Sequence, residues 1–569
     1  MINFLKKHFG IILLAIVVSI FTFGPQLFAI NKIGNDFRGV YPINTADDIY
    51  YLARAQDISD GHNFLANPYL YEHKDSSPMQ FWLPDYIMAK PLAIFGVEPA
   101  IGYIFYDLLL SIILVILIYS ILFSLTKNRL LSLSATTFLH LGLFLVVFSR
   151  APSPQLNFIF YLLLLLFLIK YIQTKKKIFV ILATFIFGLL FYIYPYYWTF
   201  FAASMGVFLI GNLLWKKKIK WNYIFLMIGG FVIGLPYFIS MLISTKLPFY
   251  EQSIYRLGMI NTHFPSGIKI IFLFIVALIL FAIAYKKKII KINELSILLI
   301  SNIMAAVICV NQHVITGKNL EFSSHYWDVS IFSFVFLIFY LLAKFLQKTS
   351  FKIYQNKIAI ILLVLVLVFA FVHQKNQILS DAHPKEQEIY WQQYMPLFEW
   401  LNQNSNKESV VYANSDLSNL IPVYTRNNIY YNRFANLFFI SDQEVQERFI
   451  INNYWENFDE EFIFDHQRYI WGVHYIDQYG HNLSKNKLKQ LLFLPVKDYE
   501  QIPQSEIDKF IDLVNQMQAG DLKDYLFNYR VDYFIWDKNK NPNWQVDNLD
   551  FLENVYYSRN FTIYRVDHL

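Results

Sequence analysis

The sequence predicts a polytopic α-helical membrane protein with about eleven transmembrane helices, followed by a C-terminal extracytoplasmic α/β domain. Three observations lead to this fold class. The chain of 569 residues is 56% hydrophobic and only 16% charged, whereas soluble proteins carry about a quarter charged residues. Apolar runs of about 18 residues or more recur up to residue 374. From residue 375 the composition becomes polar and the long apolar runs stop.

The apolar segments define a transmembrane domain over residues 1–374. They lie at 9–30, 101–125, 130–148, 156–173, 178–194, 197–214, 222–243, 268–284, 294–311, 329–346 and 358–374. The first segment has an apolar part of about 20 residues, longer than the core of a signal peptide, and no clear cleavage site follows it. We therefore expect an uncleaved first span.

The basic clusters all fall on one side of the predicted membrane. They are Lys6 with Lys7, Lys127 with Arg129, the lysines of 175–177, 216–220 and 286–288, and Lys348 with Lys352 and Lys357. The positive-inside rule assigns that side to the cytoplasm, so we expect a protein of the plasma or inner membrane with a cytoplasmic N-terminus. This arrangement requires a break at "YPYYW" (194–198). If Pro195 only kinked one long helix, the later lysine clusters would face outward.

The opposite side receives the loops that carry most of the loop acids. They are the first outer loop (31–100), the short loops at 149–155, 194–198, 244–267 and 311–328, and the tail (375–569). A loop of about 70 residues in a compact protein is more often functional than incidental. The net charge of +6 is modest, and its placement between apolar runs favours membrane topology over nucleic-acid binding.

The tail alternates helix and strand signals, which indicates an α/β domain. "QEIYWQQYMPLFEWL" has helical spacing, and "DLSNLIPVYT" is typical of a helix opened by Asp416. Strands are predicted at "SVVYAN", "NNIYYN", "YRVDYFIWDK" and "NFTIYRVD". The sequence suggests a lid, a support for acceptor binding or a purely structural domain. With Cys309 as the one cysteine, the chain forms no internal disulfide.

Two adjacent acids begin the stretch "DDIYYLARAQDISDGHNF" in the first outer loop. Its apolar residues have the spacing of a short helix at the membrane surface, and Asp47 and Asp48 fall at the N-terminal end, where the helix dipole stabilises carboxylates. A structural interpretation is therefore open, with Asp47 as a helix cap and Asp48 in the first turn. Arg54 is expected to form an ion pair with Asp47 or Asp57.

The acidic pair, followed by Tyr50, Ala53 and Gly61, resembles the first outer loop of the GT-C superfamily of membrane glycosyltransferases. "MQFWLPDYIMAKPLAIFGVEPAIGYIFYDLLL" resembles the family's run into the second span, and "FLENVYYSRNFTIYRV" is similar to the C-terminal outer domain of some bacterial members. The likeness is to the group that contains bacterial dolichyl-phosphate-mannose-protein mannosyltransferases, aminoarabinose transferases and oligosaccharyltransferase-like enzymes. Asp48 stands where glutamate is common, so the sequence leaves open whether the pair binds a metal.

The resemblance implies transfer of a sugar from a polyprenyl-phosphate donor to an acceptor outside the cytoplasm, which would be a glycan, a lipid or a protein. Asp47 is then the candidate general base, and Asp48 contacts the acceptor or a metal. The departing phosphate needs positive charge near the headgroup level. Arg150, Arg256 and Lys318 are the candidates, although an arginine at a membrane interface also snorkels without any catalytic role.

A divalent metal, Mg²⁺ or Mn²⁺, is the candidate cofactor. Asp48 and Glu72 offer carboxylates, and His73, His313 and His325 offer imidazoles in the outer loops. The histidine spacing matches no zinc pattern, and solvated loop residues are the plainer interpretation of Glu72 and His73.

Two other functions remain open from the sequence: a transporter or flippase of lipid-linked saccharides, and an inactive relative of the superfamily. Transporters place ionisable groups within spans and often show internal repeats. The spans here are nearly free of charge apart from Asp107, and no repeat is evident. The expected partners are therefore a polyprenyl-phosphate sugar, membrane lipids and an extracytoplasmic acceptor, and not nucleic acid.

Overall fold

A computed structural model describes residues 8–43, 45–78, 81–217, 220–319 and 323–567. Lys6 and Lys7, residues 218–219 of the fourth basic cluster and residues 320–322 of the loop at 311–328 lie outside the described residues. Within these ranges, eight helices are long and apolar enough to cross a membrane. They lie within Phe9–Asp36, Pro99–Thr126, Ala151–Thr174, Pro195–Trp215, Ile268–Lys286, Glu294–Thr316, Trp327–Lys348 and Ser350–Asn404. The chain is thus a helical membrane protein.

The other three predicted segments are also helical but less regular. Helices Trp221–Ile233 and Leu235–Ser244 meet at a bend of 48° and would make a ninth span. Helix Lys177–Ile193 has 17 residues, and Arg129–Thr136 continues through wider helical turns to Phe144. The total of about eleven spans therefore stays a prediction.

The predicted break at 194–198 is present. Helix Lys177–Ile193 ends before Tyr194, whose backbone is extended with φ −162° and ψ 120°. Pro195 then opens helix Pro195–Lys216, because proline is tolerated at the first helical position, where its missing N–H has no intrahelical partner.

Four of the basic clusters meet at one end of the helices. Nζ of Lys175 lies 2.6 Å from a carboxylate oxygen of Glu294, and Nζ of Lys220 lies 3.4 Å from the other. Lys348 donates a hydrogen bond to the carbonyl of Lys288 at 2.8 Å. Chain segments more than a hundred residues apart thus share this end, as the lysine pattern predicts. The compartment that it faces stays a prediction.

The first outer loop and the tail meet at the opposite end. The amide of Tyr41 donates to the hydroxyl of Tyr424 at 2.9 Å, and the amide of Ile43 donates to Glu388 at 3.1 Å. The amide of Ile429 donates to the carbonyl of Tyr69 at 3.0 Å. These bonds place residues 41–69 against the tail.

The tail contains a five-stranded mixed sheet. Strands β1 (Ile260–Asn261) and β2 (Lys318–Asn319) form a separate antiparallel pair between two outer loops. The larger sheet has the order β4-β3-β5-β7-β6. Its strands are β3 Val410–Tyr412, β4 Asn428–Ile429, β5 Tyr533–Asp537, β6 Leu552–Tyr557 and β7 Phe561–Val566. Strand β3 runs parallel to β4 and β5, whereas β7 runs antiparallel to β5 and β6.

Helices alternate with the strands of this sheet along the tail. They are Glu386–Trp391, Met395–Asn404, Ser415–Tyr424, Asp442–Asn452, Glu460–Asp465, His474–Leu491, Gln504–Gln518 and Leu522–Leu526. Helix Ser415–Tyr424 is capped by Asn414, whose side chain accepts from the amide of Leu417 at 3.0 Å. The prediction that Asp416 opens this helix was wrong by two residues, since Asp416 lies inside the first turn.

One hydrophobic core runs from the membrane helices into the tail. It contains Ile49 and Leu52 of helix Ala46–Ser59 together with Leu417 and Ile421 of helix Ser415–Tyr424, and these two helices pack against each other. A second core, around Tyr412, Phe534 and Phe510, lies within the tail alone. The helix that carries Asp47 is therefore held between the membrane region and the tail. A domain boundary at residues 374 and 375 stays a prediction.

Candidate active site

Asp47 and Arg150 form an ion pair between two outer loops. Asp47 is the second residue of helix Ala46–Ser59, and its side chain is 58% exposed. Arg150 lies just before helix Ala151–Thr174, and its guanidinium donates to the Asp47 carboxylate. The pair places an exposed carboxylate beside a fixed positive charge at the end of a membrane span.

The charge of Arg150 is stabilised by its neighbours. Its guanidinium carbon lies 6.0 Å from the centroid of the Tyr51 ring. Burial would lower the pKa of Arg150, but Tyr51, Asp47 and Asp48 together raise it above its ordinary value. Arg150 therefore remains a cation, and its counter-ion in this structure is the Asp47 carboxylate.

The structural interpretation was wrong in making Asp47 the helix cap, because the N-cap is Thr45, but Asp48 lies in the first turn as it predicted. Its carboxylate accepts a hydrogen bond from the backbone amide of Thr45 at 2.8 Å, which satisfies one of the free N–H groups at the helix start. Asp48 also faces a small cleft lined by Gln26, Tyr103 and Asp107. Of the two acids, Asp48 stabilises the helix end, and Asp47 has the exposed carboxylate.

A second carboxylate lies in the same cleft. Asp107, from helix Pro99–Thr126, is 4% exposed and accepts a hydrogen bond from the Gln155 side chain at 3.2 Å. In the sequence, Asp107 stood out as an isolated acid in an apolar span, which is a signal of a functional site. The structure brings it to the site of the acidic pair.

His325 joins the site from the loop at 311–328. Its Nδ1 lies 2.6 Å from the hydroxyl of Tyr194, and its ring stacks on Tyr196 at 4.5 Å. Burial and the charge of Arg150 lower the pKa of His325 to about 4, against the opposing effect of Asp47. A pKa this low favours the neutral imidazole near pH 7, and the ring contacts Tyr194 through a hydrogen bond.

Arg256 lies elsewhere. Its side chain is 3% exposed and donates to the carbonyl of Ile440 at 2.6 Å and to the hydroxyl of Ser253 at 3.1 Å. It also forms an ion pair with Asp442. These contacts fix helix Tyr250–Arg256 to the tail and do not bring Arg256 to Asp47 or Arg150.

The described contacts of Lys318 and His313 are with other outer-loop residues and do not include Asp47 or Asp48. Lys318 is exposed on β2, and its carbonyl accepts from the Gln312 side chain at 2.8 Å. His313 is buried and its Nε2 donates to the carbonyl of Phe264 at 2.9 Å.

Glu72 and His73 contact the tail. The carboxylate of Glu72 accepts from Arg448 at 2.8 Å and from the amide of Arg530 at 2.9 Å. His73 lies 3.0 Å from Glu444. Both residues therefore belong to the junction between the first outer loop and the tail.

The five candidate metal ligands thus occupy different places. Asp48 and His325 lie at the site, whereas Glu72, His73 and His313 do not. Across the part of the chain that the structure describes, no group of three or more His, Cys, Asp or Glu side chains is arranged to hold a metal ion. These residues do not fit a divalent metal held by the protein alone.

Arg54 has neither of the partners expected from the sequence. Its guanidinium pairs with Asp85 at 2.5 Å and donates to the hydroxyl of Tyr50 and the carbonyl of Phe81, each at 2.7 Å. Asp47 is about 10 Å away along the helix axis, and Asp57 is engaged by Lys74 at 2.6 Å. The buried pair ties helix Ala46–Ser59 to helix Leu83–Phe95.

Comparison with solved structures shows a distant likeness in fold. No family model matches the sequence, and no curated protein does. Among solved structures, the chain is similar to the oligosaccharyltransferase of Archaeoglobus fulgidus, crystallised with a disulfide-tethered acceptor peptide that contains the NVT sequon. The TM-score is 0.41 and the identity 11%, over 76% of this chain and 65% of that one. This chain thus spans less than two thirds of that protein's length.

Proposed function

We propose that the protein is an integral membrane glycosyltransferase that moves a sugar from a polyprenyl-phosphate donor to an acceptor outside the cytoplasm. The observation that carries the proposal is the ion pair of Asp47 and Arg150 at the end of a membrane span. A carboxylate suited to accept a proton and a guanidinium suited to bind phosphate stand side by side at the end of a candidate span, where the phosphate of a lipid-linked donor is expected.

The reaction follows from these two groups. The acceptor hydroxyl or amide attacks the anomeric carbon of the donor and forms the new glycosidic bond. The bond between that carbon and the phosphate oxygen breaks, and its electron pair leaves with the polyprenyl phosphate. Asp47 takes the acceptor proton, and Arg150 stabilises the charge on the departing phosphate.

The ion pair also suggests an order of events. Arg150 binds Asp47 in the ligand-free chain, and a donor phosphate would compete for the same guanidinium, because arginine binds phosphate through paired hydrogen bonds. Donor binding would then release the Asp47 carboxylate to serve as the base. Neutral His325 would position a substrate by a hydrogen bond.

The remaining sequence candidates have weaker support. The contacts of Arg256 fit a structural role at the tail. Phosphate binding by Lys318 stays a prediction. A requirement for Mg²⁺ or Mn²⁺ also stays a prediction, which removal of divalent ions by EDTA and their addition back would test.

The proposal predicts a specific loss of activity in Asp47→Asn. The purified protein is given labelled polyprenyl-phosphate sugars and a panel of lipid, glycan and peptide acceptors. Removal of a general base lowers kcat by about 10²–10⁴-fold. Asp36→Asn, an exposed acid of the same loop, is the matched control and should retain full activity. Equal rates for Asp47→Asn and the wild type would remove Asp47 from the base role.

Arg150→Gln should weaken donor binding. Hydrogen bonds to charged groups contribute about 1.5–3 kcal/mol, so the Kd for labelled polyprenyl phosphate should rise by about 10–100-fold. Arg559→Gln removes an exposed arginine of the tail and is the control. An unchanged Kd in Arg150→Gln would contradict the phosphate-binding role, whatever the outcome for Asp47.

A flippase would instead move the donor across the bilayer without any transfer product.

A further inference from the structure

The tail exposes a continuous apolar segment, residues 491–496, here called the apolar tip. Its large side chains are Leu491, Leu492, Phe493, Leu494 and Val496, which are between 44% and 97% exposed. Phe493, at 97%, is the most exposed of them. Contiguous apolar surface of this kind marks a site of interaction with a protein or a membrane, whereas scattered apolar residues do not.

The apolar tip is a defined turn. The side chain of Asn486 donates to the carbonyl of Lys497 at 2.6 Å and accepts from its amide at 3.3 Å. The amide of Leu494 donates to the carbonyl of Lys489 at 2.8 Å. These bonds close the chain on helix His474–Leu491, so the apolar side chains are presented together at one end of a helix.

Lysines surround the apolar tip. Lys485, Lys487 and Lys489 precede it on the helix, and Lys497 follows it, whereas Asp498 is the one acid between residues 485 and 498. Apolar side chains flanked by lysine are typical of segments that lie in the interface of an anionic membrane.

The helix that carries the apolar tip passes close to the end of a membrane span. Nε2 of His481 lies 2.9 Å from the hydroxyl of Thr262, and the ammonium of Lys485 lies 5.7 Å from the ring centroid of Phe264. Phe264 is four residues before helix Ile268–Lys286, a candidate span. Four residues bridge at most about 14 Å. Lys485 is therefore near the bilayer surface, six residues before the apolar tip begins.

We propose that the apolar tip inserts into the lipid leaflet at this end of the molecule, and that Lys485, Lys487, Lys489 and Lys497 bind anionic phospholipid headgroups there. The tail would then contact the bilayer directly, in addition to its contacts with the membrane helices. This contact would fix the height of the tail above the leaflet independently of any catalytic activity.

A fluorescent label at Phe493 tests the insertion. Cys309→Ala gives a cysteine-free background, and Phe493→Cys carries an environment-sensitive dye in the full-length protein in nanodiscs. Asp512→Cys, an exposed position on helix Gln504–Gln518, is the matched control. We expect a blue shift at position 493, quenching by nitroxides on the lipid chains, and stronger quenching when phosphatidylglycerol is present. The control should show neither effect.

The lysines are tested by replacing Lys485, Lys487 and Lys489 with glutamine in the same labelled protein. The increase in quenching that phosphatidylglycerol causes should disappear, and the same loss should follow from high salt in the unsubstituted protein. A water-like spectrum at position 493 in both lipids would overturn the proposal. So would an equal response in neutral and anionic lipid, or a blue shift without quenching by the nitroxides on the lipid chains, which would indicate a second copy or another protein as the partner.

Discussion

Arg54 and Asp85 determine where the carboxylate of Asp47 lies. Both side chains are about 1% exposed and are 2.5 Å apart, and Arg54 stands on the helix that begins beside Asp47. A buried charge is tolerated only when it is paired and hydrogen-bonded. The pair therefore fixes helix Ala46–Ser59 against helix Leu83–Phe95, and with it the position of the exposed pair of Asp47 and Arg150.

Asp85→Asn should destabilise the protein strongly, because it leaves the Arg54 charge buried without a counter-ion. Breaking such a pair costs about 3–5 kcal/mol, which should appear as a large fall in the thermal unfolding midpoint in detergent. Glu553→Gln removes the exposed partner of Arg565, in a pair that is 60% and 59% exposed. That control should cost at most about 1 kcal/mol. Similar shifts for the two variants would contradict this account of Arg54.

Single residues also show what the sequence could predict of the site. Local patterns indicated that Asp47, Asp48 and Arg150 are site candidates, and the structure brings them together, but they assigned the helix cap to Asp47 instead of Thr45. The partners of Glu72 and His73 lie 376 and 371 residues further along the chain. A local sequence pattern cannot reveal contacts between residues so far apart in the chain. The sequence therefore suggested metal ligation for Glu72 and His73, whereas the structure places both at the junction between the first outer loop and the tail.

At the scale of elements, a charged cluster fastens the end of helix Ala46–Ser59 to the tail. His62 lies 3.0 Å from Asp57 and 3.3 Å from Glu408 of the tail, and Lys74 also contacts Asp57. The hydrogen bond from His62 to Asp57 raises the pKa of His62, against the opposing effect of burial. The His62 ring thus links two acids from distant parts of the chain.

This cluster should make stability depend on pH. A raised histidine pKa stabilises the folded protein fully below the unfolded value of about 6.5, and the stabilisation is lost as pH rises through the higher folded pKa. The unfolding midpoint of the wild type should therefore exceed that of His62→Gln at pH 5.5–6, and the difference should shrink above pH 7. A difference that is constant across this range, or that grows with pH, would show that the His62 charge has no part in it.

The sequence predicted elements well where one physical pattern dominates. The β-branched runs predicted strands β3, β4, β5 and β7, and the long apolar runs predicted the helices. Strand β6 was missed because Glu553 and Asn554 interrupt its apolar pattern and are exposed. Helix Lys177–Ile193 shows why the number of spans is harder to predict, since 17 residues reach less of the bilayer than the 20 or so that a full span needs.

At the scale of the whole molecule, the two ends of the helices differ in charge and in contacts. The lysine segments meet one another around Glu294 and Lys288. The outer loops meet one another and the tail at the other end, through the pair of Asp47 and Arg150, the contact of Tyr194 with His325, and the contacts of Arg256. The three-dimensional contacts thus agree with the sorting of loops by lysine content. Lysine-rich loops alternate with lysine-poor loops along the chain, and this charge asymmetry is also what orients spans during insertion.

Cysteine labelling gives the prediction for the orientation. In the Cys309→Ala background, single cysteines replace Asp36 in the first outer loop, Asn539 in the tail and Lys287 in a lysine cluster, all of them exposed positions. A membrane-impermeant maleimide applied to right-side-out vesicles should label positions 36 and 539, and position 287 only after permeabilisation. Inside-out vesicles should give the reverse pattern, which controls for intrinsic reactivity.

The labelling pattern distinguishes two failures. If positions 36 and 539 react together but only from the cytoplasmic side, the architecture is right and the orientation is inverted. The proposed transfer outside the cytoplasm would then be wrong. If position 287 reacts together with position 539, the two ends are not separated by a membrane. The lysine clusters would then not report the topology of this chain. They report topology only when lysines stay on one side of a bilayer, because moving charge across the bilayer costs free energy.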